Sequence, residues 1–279
     1  MTKTAAPMTS GSIWKQMTFF AMPIFLGNLF QQLYNTVDSL IVGNFLGSSA
    51  LAAVSSSGSL IFMLIGFLSG ISAGAGVIVA RFFGAGDEKN LQRAVHTTVA
   101  FGLVAGVLMT GVGVALSPQI LRWMDTPESV MRESVTYLQI YFAGSLGFVM
   151  YNVLVGILQA VGDSRHPLYY LIVSSVINLV LDLLFITGFH TGVGGAAVAT
   201  VISQIVSALL CFWQLLRTKE SYGLKIRKIR FDKGILVQII KIGLPSGVQN
   251  SIIAFANVVV QSNINAFGEM AMAGYGAYT

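Results

Sequence analysis

The chain has 279 residues, 54% of them hydrophobic and only 10% charged, with a formal net charge of +5. That balance excludes an ordinary soluble domain, and thirty glycines beside six prolines suit packed membrane helices. The single cysteine, Cys211, lies inside an apolar run and excludes an intrachain disulfide.

In chain order, the polar opening "MTKTAAPMTSGSIWKQ" is short. The apolar run after it passes twenty residues without a small-residue cleavage site, which predicts a first spanning helix and not a removable signal peptide. Apolar segments follow near 16–42, 50–80, 93–117, 134–160, 168–188, 193–216 and 235–266. Each approaches or exceeds the ~20 residues that cross a bilayer core, so the expected class is all-α and polytopic. Pro118 and Pro127 are expected to punctuate the gap between the third and fourth segments, and Pro167 to sit in the first turn of the fifth.

Charge sets the orientation. With the N-terminus cytoplasmic, Lys3, Lys15, Arg81, Lys89, Arg93, Arg165 and every basic residue from Arg217 to Lys241 fall on one side, leaving only Arg122 and Arg132 on the other. The positive-inside rule selects this arrangement, for a multi-pass chain of the plasma membrane. The basic run 217–233 reads as a cytoplasmic connector beside acidic lipid headgroups; nucleic acid is not an expected partner.

A repeat divides the chain. "AMPIFLGN" (21–28) and "IGLPSGVQN" (242–250) both place a proline near a helix start and an asparagine five residues later, and "FLGSSALAA" (45–53) returns as "AFGEMAMAG" (266–274). A segment that begins again after six others predicts two six-helix halves. Residues 1–216 are then one lobe, 217–233 the linker, and 234–279 the start of a second lobe, so the chain is expected to be truncated.

Polar residues inside these segments are the informative anomaly, because a charge in hydrocarbon costs about 2.5–3.5 kcal/mol on insertion scales. In "QLYNTVDSLIVG" (32–43) stands Asp38, with Gln31 and Tyr34 or Asn35 on the same helical face. In the fifth segment Ser174, Asn178 and Asp182 recur every four residues, and in the sixth Thr200, Ser203, Gln204 and Ser207 form a third polar stripe. At 1.5 Å rise per residue, Asp38, Asp182 and Thr200 all fall roughly 6–12 Å from the outer ends of their helices, so one pocket could hold them. Serine, threonine and amide side chains also join helices by hydrogen bonds, and Asn28, Gln31, Ser203 and Ser207 read first in that way. The aspartates read as functional: two crowded carboxylates suit a proton acceptor, and with an amide carbonyl and a hydroxyl they form an all-oxygen set that suits sodium.

Other features carry less. His96, His166 and His190 show no ligand spacing, so no resident metal is expected. Gly70/Gly74 and Gly102/Gly106 predict close helix packing. "ARFFGAGDEKNLQRAV" (80–95) and "LQAVGDSRHP" (158–167) are turns that share a Gly-Asp and a basic residue, either a gating latch or plain solvated turns.

Taken together, "QLYNTVDSLIVGNFLGSSALAA", "GVIVARFFGAGDEKNLQRAV", "GILQAVGDSRHPLYYLIVSSVINLVLDLLFI", "GVGGAAVATVISQ" and "IGLPSGVQNSI" resemble, in order, the multidrug and toxic compound extrusion (MATE) transporters. The resemblance implies a twelve-helix antiporter of two pseudo-symmetric bundles, driven by H+ or Na+, that expels amphipathic and often cationic drugs or toxic metabolites and works as a monomer when full length. It implies a cation site in the first lobe at the motif positions Asp38, Asn178, Asp182 and Thr200. The polar stripes add Gln31, Tyr34, Asn35, Ser174 and Gln204 as cavity candidates, and Pro23, which removes a helix hydrogen bond, reads as a hinge or as an inert kink. One branch of the family carries a glutamate where this chain has Ile253, which argues against a second-lobe cation site.

Two competing functions are weighed. A lipid-linked oligosaccharide flippase of the same superfamily would carry basic residues within its cavity, whereas these lie at helix ends or in loops. An intramembrane aspartyl protease would need a Tyr-Asp pair and a Gly-x-Gly-Asp motif; Asp38 follows Val37, Asp182 follows Leu181, and the near miss "AVGD" (160–163) lies in a turn. A transporter, not an enzyme, is the expectation.

Overall fold

The computed structural model describes residues 12–278. Lys3 and the rest of the N-terminal stretch through residue 11, part of the predicted cytoplasmic side, lie outside the described residues, as does Thr279. Among the described residues the ordered elements are all helical: α1 (Ile13–Leu46), α2 (Ser48–Gly84), α3 (Glu88–Trp123), α4 (Glu128–Ala143), α5 (Ser145–Ala160), α6 (Arg165–Leu183), α7 (Val193–Arg217), α8 (Lys233–Asn265) and α9 (Glu269–Tyr278). A π-helical turn, Leu184–Gly188, extends α6, and a short 3-10 turn, Ile226–Lys228, lies in the connector before α8.

Among the described residues, α2, α3, α6 with its π turn, α7 and α8 are each long and apolar enough to cross a membrane, and α4 with α5 forms a sixth span bent by 50°. The bend lies inside the predicted apolar segment 134–160. It falls at Gly144, where an added Cβ would come within 2.3 Å of the Val201 side chain on α7, so the chain turns where two helices touch. Pro118 is a correction: it does not punctuate the gap but lies within α3, which continues to Trp123. Pro167 sits in the first turn of α6, where its missing N–H costs no helical bond. α1 has the length of a span, at 34 residues, but falls short in hydropathy because its polar stripe occupies positions that apolar residues would otherwise fill.

The core runs along α2, α3, α5 and α7, with Ile78, Val79, Val99, Leu154, Ile157 and Leu215 almost wholly buried. The closest approach is between α2 and α8. A Cβ on Gly70 would meet the Gly247 backbone nitrogen at 2.1 Å, and one on Gly74 would meet that of Gly243 at 2.4 Å, so only glycine lets these backbones touch.

The basic end is held by aspartate caps. Asp87 accepts the Asn90 backbone N–H at 3.1 Å, and Asp232 accepts that of Ile235 at 3.1 Å, each satisfying an orphan donor of the helix it precedes. The Asn90 backbone N–H, then its side-chain amide, holds the Asp87 carboxyl below the usual carboxylate range. Asp163 does the same work ahead of α6, accepting the His166 backbone N–H at 3.2 Å and ring Nδ1–H at 2.6 Å. The Gly-Asp of both sequence turns is thus a helix cap.

A candidate cation site between α1, α6 and α7

The three polar stripes meet. Asn178 and Asp182 stand one turn apart on α6 and are 1% and 0% exposed; Thr200 faces them from α7 at 5%. The Thr200 hydroxyl donates to the Ala196 carbonyl at 3.0 Å and takes a long contact from Asn178 Nδ2 at 3.5 Å. Asp38 reaches across from α1, half-buried, and its carboxyl lies within hydrogen-bonding reach of that of Asp182.

Two carboxylates so placed have no donor to share. Asp38 Oδ1 and both Asp182 oxygens are buried without any partner. Like charges about 4 Å apart repel by roughly 4 kcal/mol at an effective dielectric of 20. Native proteins rarely leave such atoms unsatisfied, and the chemistry of the donor set fits one class of guest: a proton between the carboxyls, or a hard cation among their oxygens. Asp182 lies where α6 runs on without a break into its π-helical turn, so no helix N-terminus is near to stabilise the anion.

The remaining candidates divide. Tyr34 turns inward, its hydroxyl near Thr200 and within electrostatic range of both aspartates. Asn35 does not: it is exposed and bonds Gln32 on its own helix at 3.4 Å. The Ser174 hydroxyl is buried but donates to the Leu171 carbonyl at 3.0 Å, a bond within α6. Gln31 and Gln204 line a separate cavity of about 580 Å³ toward the basic end, with Pro23, Asn28, Ser69, Ser72 and Asn152 on its wall. Pro23 lies inside α1, which continues as one helix to Leu46.

Tyr137 and Tyr141 of α4 were not singled out in the sequence. They stack at 6.5 Å between ring centroids, and the Tyr137 phenol lies within electrostatic range of Asp38, Asp182 and Tyr34. Their spacing of four in an apolar run was the available signal, but aromatic residues are ordinary there.

Residues 23–184 match the family model MatE. The chain belongs to that family and is a multi-pass helical membrane protein. It is 35% identical over 272 residues to "Probable multidrug resistance protein YoeA" of Bacillus subtilis (strain 168), covering 95% of this chain and 59% of that protein. It is 33% identical over 273 residues to "Probable multidrug resistance protein YpnP" of the same strain, covering 98% of this chain and 61% of that one. A solved structure described as the inward-facing conformation of a multidrug resistance MATE family transporter of the MOP superfamily superposes with a TM-score of 0.82 at 28% identity, over 88% of this chain and 56% of that one. The chain therefore spans about three-fifths of the length of these curated relatives.

Proposed function

We propose that the complete protein is a cation-coupled antiporter that exports amphipathic, often cationic, small molecules across the plasma membrane by alternating access, and that it works as a monomer with its N-terminus cytoplasmic. The observation that carries this reading is the Asp38–Asp182 pair, whose buried oxygens lack any donor. In this reading H+ or Na+ enters as a transported substrate. Asp38 and Asp182 hold it, and Asn178 and Thr200 act as neutral partners, with Tyr34 beside Thr200. Arrival of the cation cancels the charge that would hold a cationic drug. It also favours one of the two conformations, which requires unequal binding to the two states. Pro23, which removes a backbone hydrogen bond from α1, is the proposed point of bending.

Family membership and the names of the relatives support multidrug export as the substrate class. The test is drug efflux from vesicles containing the full-length protein, with a proton or a sodium gradient imposed alone. Asp38→Asn and Asp182→Asn should each reduce gradient-driven efflux to the level of protein-free vesicles. Wild-type efflux with unchanged gradient dependence in both variants overturns the assignment.

A further inference from the structure

A second site of different chemistry lies at the basic end, well away from the carboxyl pair. Between the first turns of α3 and the connector is a cleft of about 430 Å³, within the range of roughly 300–1,000 Å³ typical of ligand sites. Lys89 and Arg93 form one wall and Arg227, Lys228 and Arg230 the other, with Gln92, His96 and Thr97 also lining it. Asp232 is the one acidic residue in the lining, paired with Arg93 at 3.7 Å. Among the described residues, Lys89, Arg227, Lys228 and Arg230 have no ion-pair partner.

The cleft is built, not draped. Gln92 Nε2 donates to the Ser221 carbonyl and, at 3.0 Å, to that of Gly223. His96 Nε2 accepts the Lys225 backbone N–H at 3.0 Å while its Nδ1–H donates to Gln92 O at 2.6 Å. Thr97 Oγ1 accepts the Asp232 backbone N–H at 3.0 Å. Side chains of α3 thus fix the connector backbone and leave its cationic side chains facing those of α3 across a gap.

Cations placed this way repel one another, and the arrangement suits an anion with several oxygens. Guanidinium groups bind phosphate through paired N–H donors, and ammonium groups through point charge. The neighbours decide the source. Ile226 and Phe231 flank the connector cations and are 60% and 47% exposed, and the cleft sits beside the ends of two membrane-crossing helices, α3 and α8. A soluble phosphate would leave both side chains in water, whereas a lipid surface covers them.

We propose that this cleft binds the phosphate headgroup of an anionic phospholipid, clamping the connector to the start of α3. The experiment places the full-length protein in nanodiscs of phosphatidylglycerol and phosphatidylcholine and measures by native mass spectrometry which lipid stays bound. The wild type should retain phosphatidylglycerol in preference. Arg227→Gln/Lys228→Gln/Arg230→Gln on one wall and Lys89→Gln/Arg93→Gln on the other should each weaken that retention, the triple variant by roughly tenfold or more. Arg165→Gln/Lys219→Gln/Lys241→Gln, which removes the same charge at the same end, should leave it unchanged. These side chains are exposed, and matching unfolding midpoints will show that the variants fold. Two results overturn the proposal: no lipid preference in the wild type, or equal loss in the control variant.

Discussion

Helix α6 has a buried aspartate near each end, and the two environments are opposites. Asp163, 2% exposed, precedes the first turn, where the macrodipole favours an anion, and accepts from a backbone N–H and an imidazole N–H. Asp182, 0% exposed, lies where the helix runs on into its π turn, far from that N-terminus, and faces another carboxyl with both oxygens unpartnered. One carboxylate completes the fold; the other leaves a need that the protein alone does not meet. Burial by itself therefore says little about function. Unmet hydrogen-bonding capacity says more.

The sharpest way to test that contrast is to supply the missing donor. Asp182→Asn places an amide where two carboxyls face one another, and a charge-assisted hydrogen bond of that kind contributes about 1.5–3 kcal/mol. The unfolding midpoint of the purified protein should stay level or rise while gradient-driven efflux falls to background. A large loss of stability would mean that the carboxyl pair is structural.

A third cluster extends the comparison at the end opposite the basic residues. Asn265, 1% exposed, donates through Nδ2 to the Met124 carbonyl at 2.9 Å and accepts through Oδ1 from Gln261 Nε2 at 2.9 Å, tying α8 to the turn after α3. Here donors and acceptors match, so the cluster should be structural. Asn265→Leu strands the Gln261 amide and the Met124 carbonyl, and should lower stability by about 1–3 kcal/mol, read from the unfolding midpoint. The ion preference of the remaining transport should not change.

What the sequence revealed, and what it hid, follow from how unusual each residue is in its setting. Asp38, Asn178, Asp182 and Thr200 stood out because hydrocarbon makes a polar residue expensive, and their helical spacing placed each set on one face. Helix lengths were legible for the same reason. Tyr137 and Tyr141 were hidden because an aromatic ring in an apolar run violates nothing. The break at Gly144 was hidden because the close contact there is with Val201 on another helix, far along the chain. Asn35 was ambiguous with Tyr34, since adjacent residues point about 100° apart and the stripe alone did not select between them.

The smallest expected effect completes the contrast between the two ends of α6. Asp163→Ala removes the acceptor for the His166 backbone N–H and ring, and loss of a helix-capping side chain costs about 1 kcal/mol, in a range of roughly 0.5–2. The unfolding midpoint should drop by a few degrees. Efflux per folded molecule, and its dependence on the imposed gradient, should match the wild type, because Asp163 precedes the first turn of α6 and Asp182 lies far along the same helix. The pair of variants then has opposite signatures: Asp182→Asn loses transport and keeps stability, while Asp163→Ala loses stability and keeps transport. If Asp163→Ala also abolished gradient dependence, the two ends of α6 would be coupled, and the Gly-Asp turn would be a gating latch, one of its two readings in the sequence.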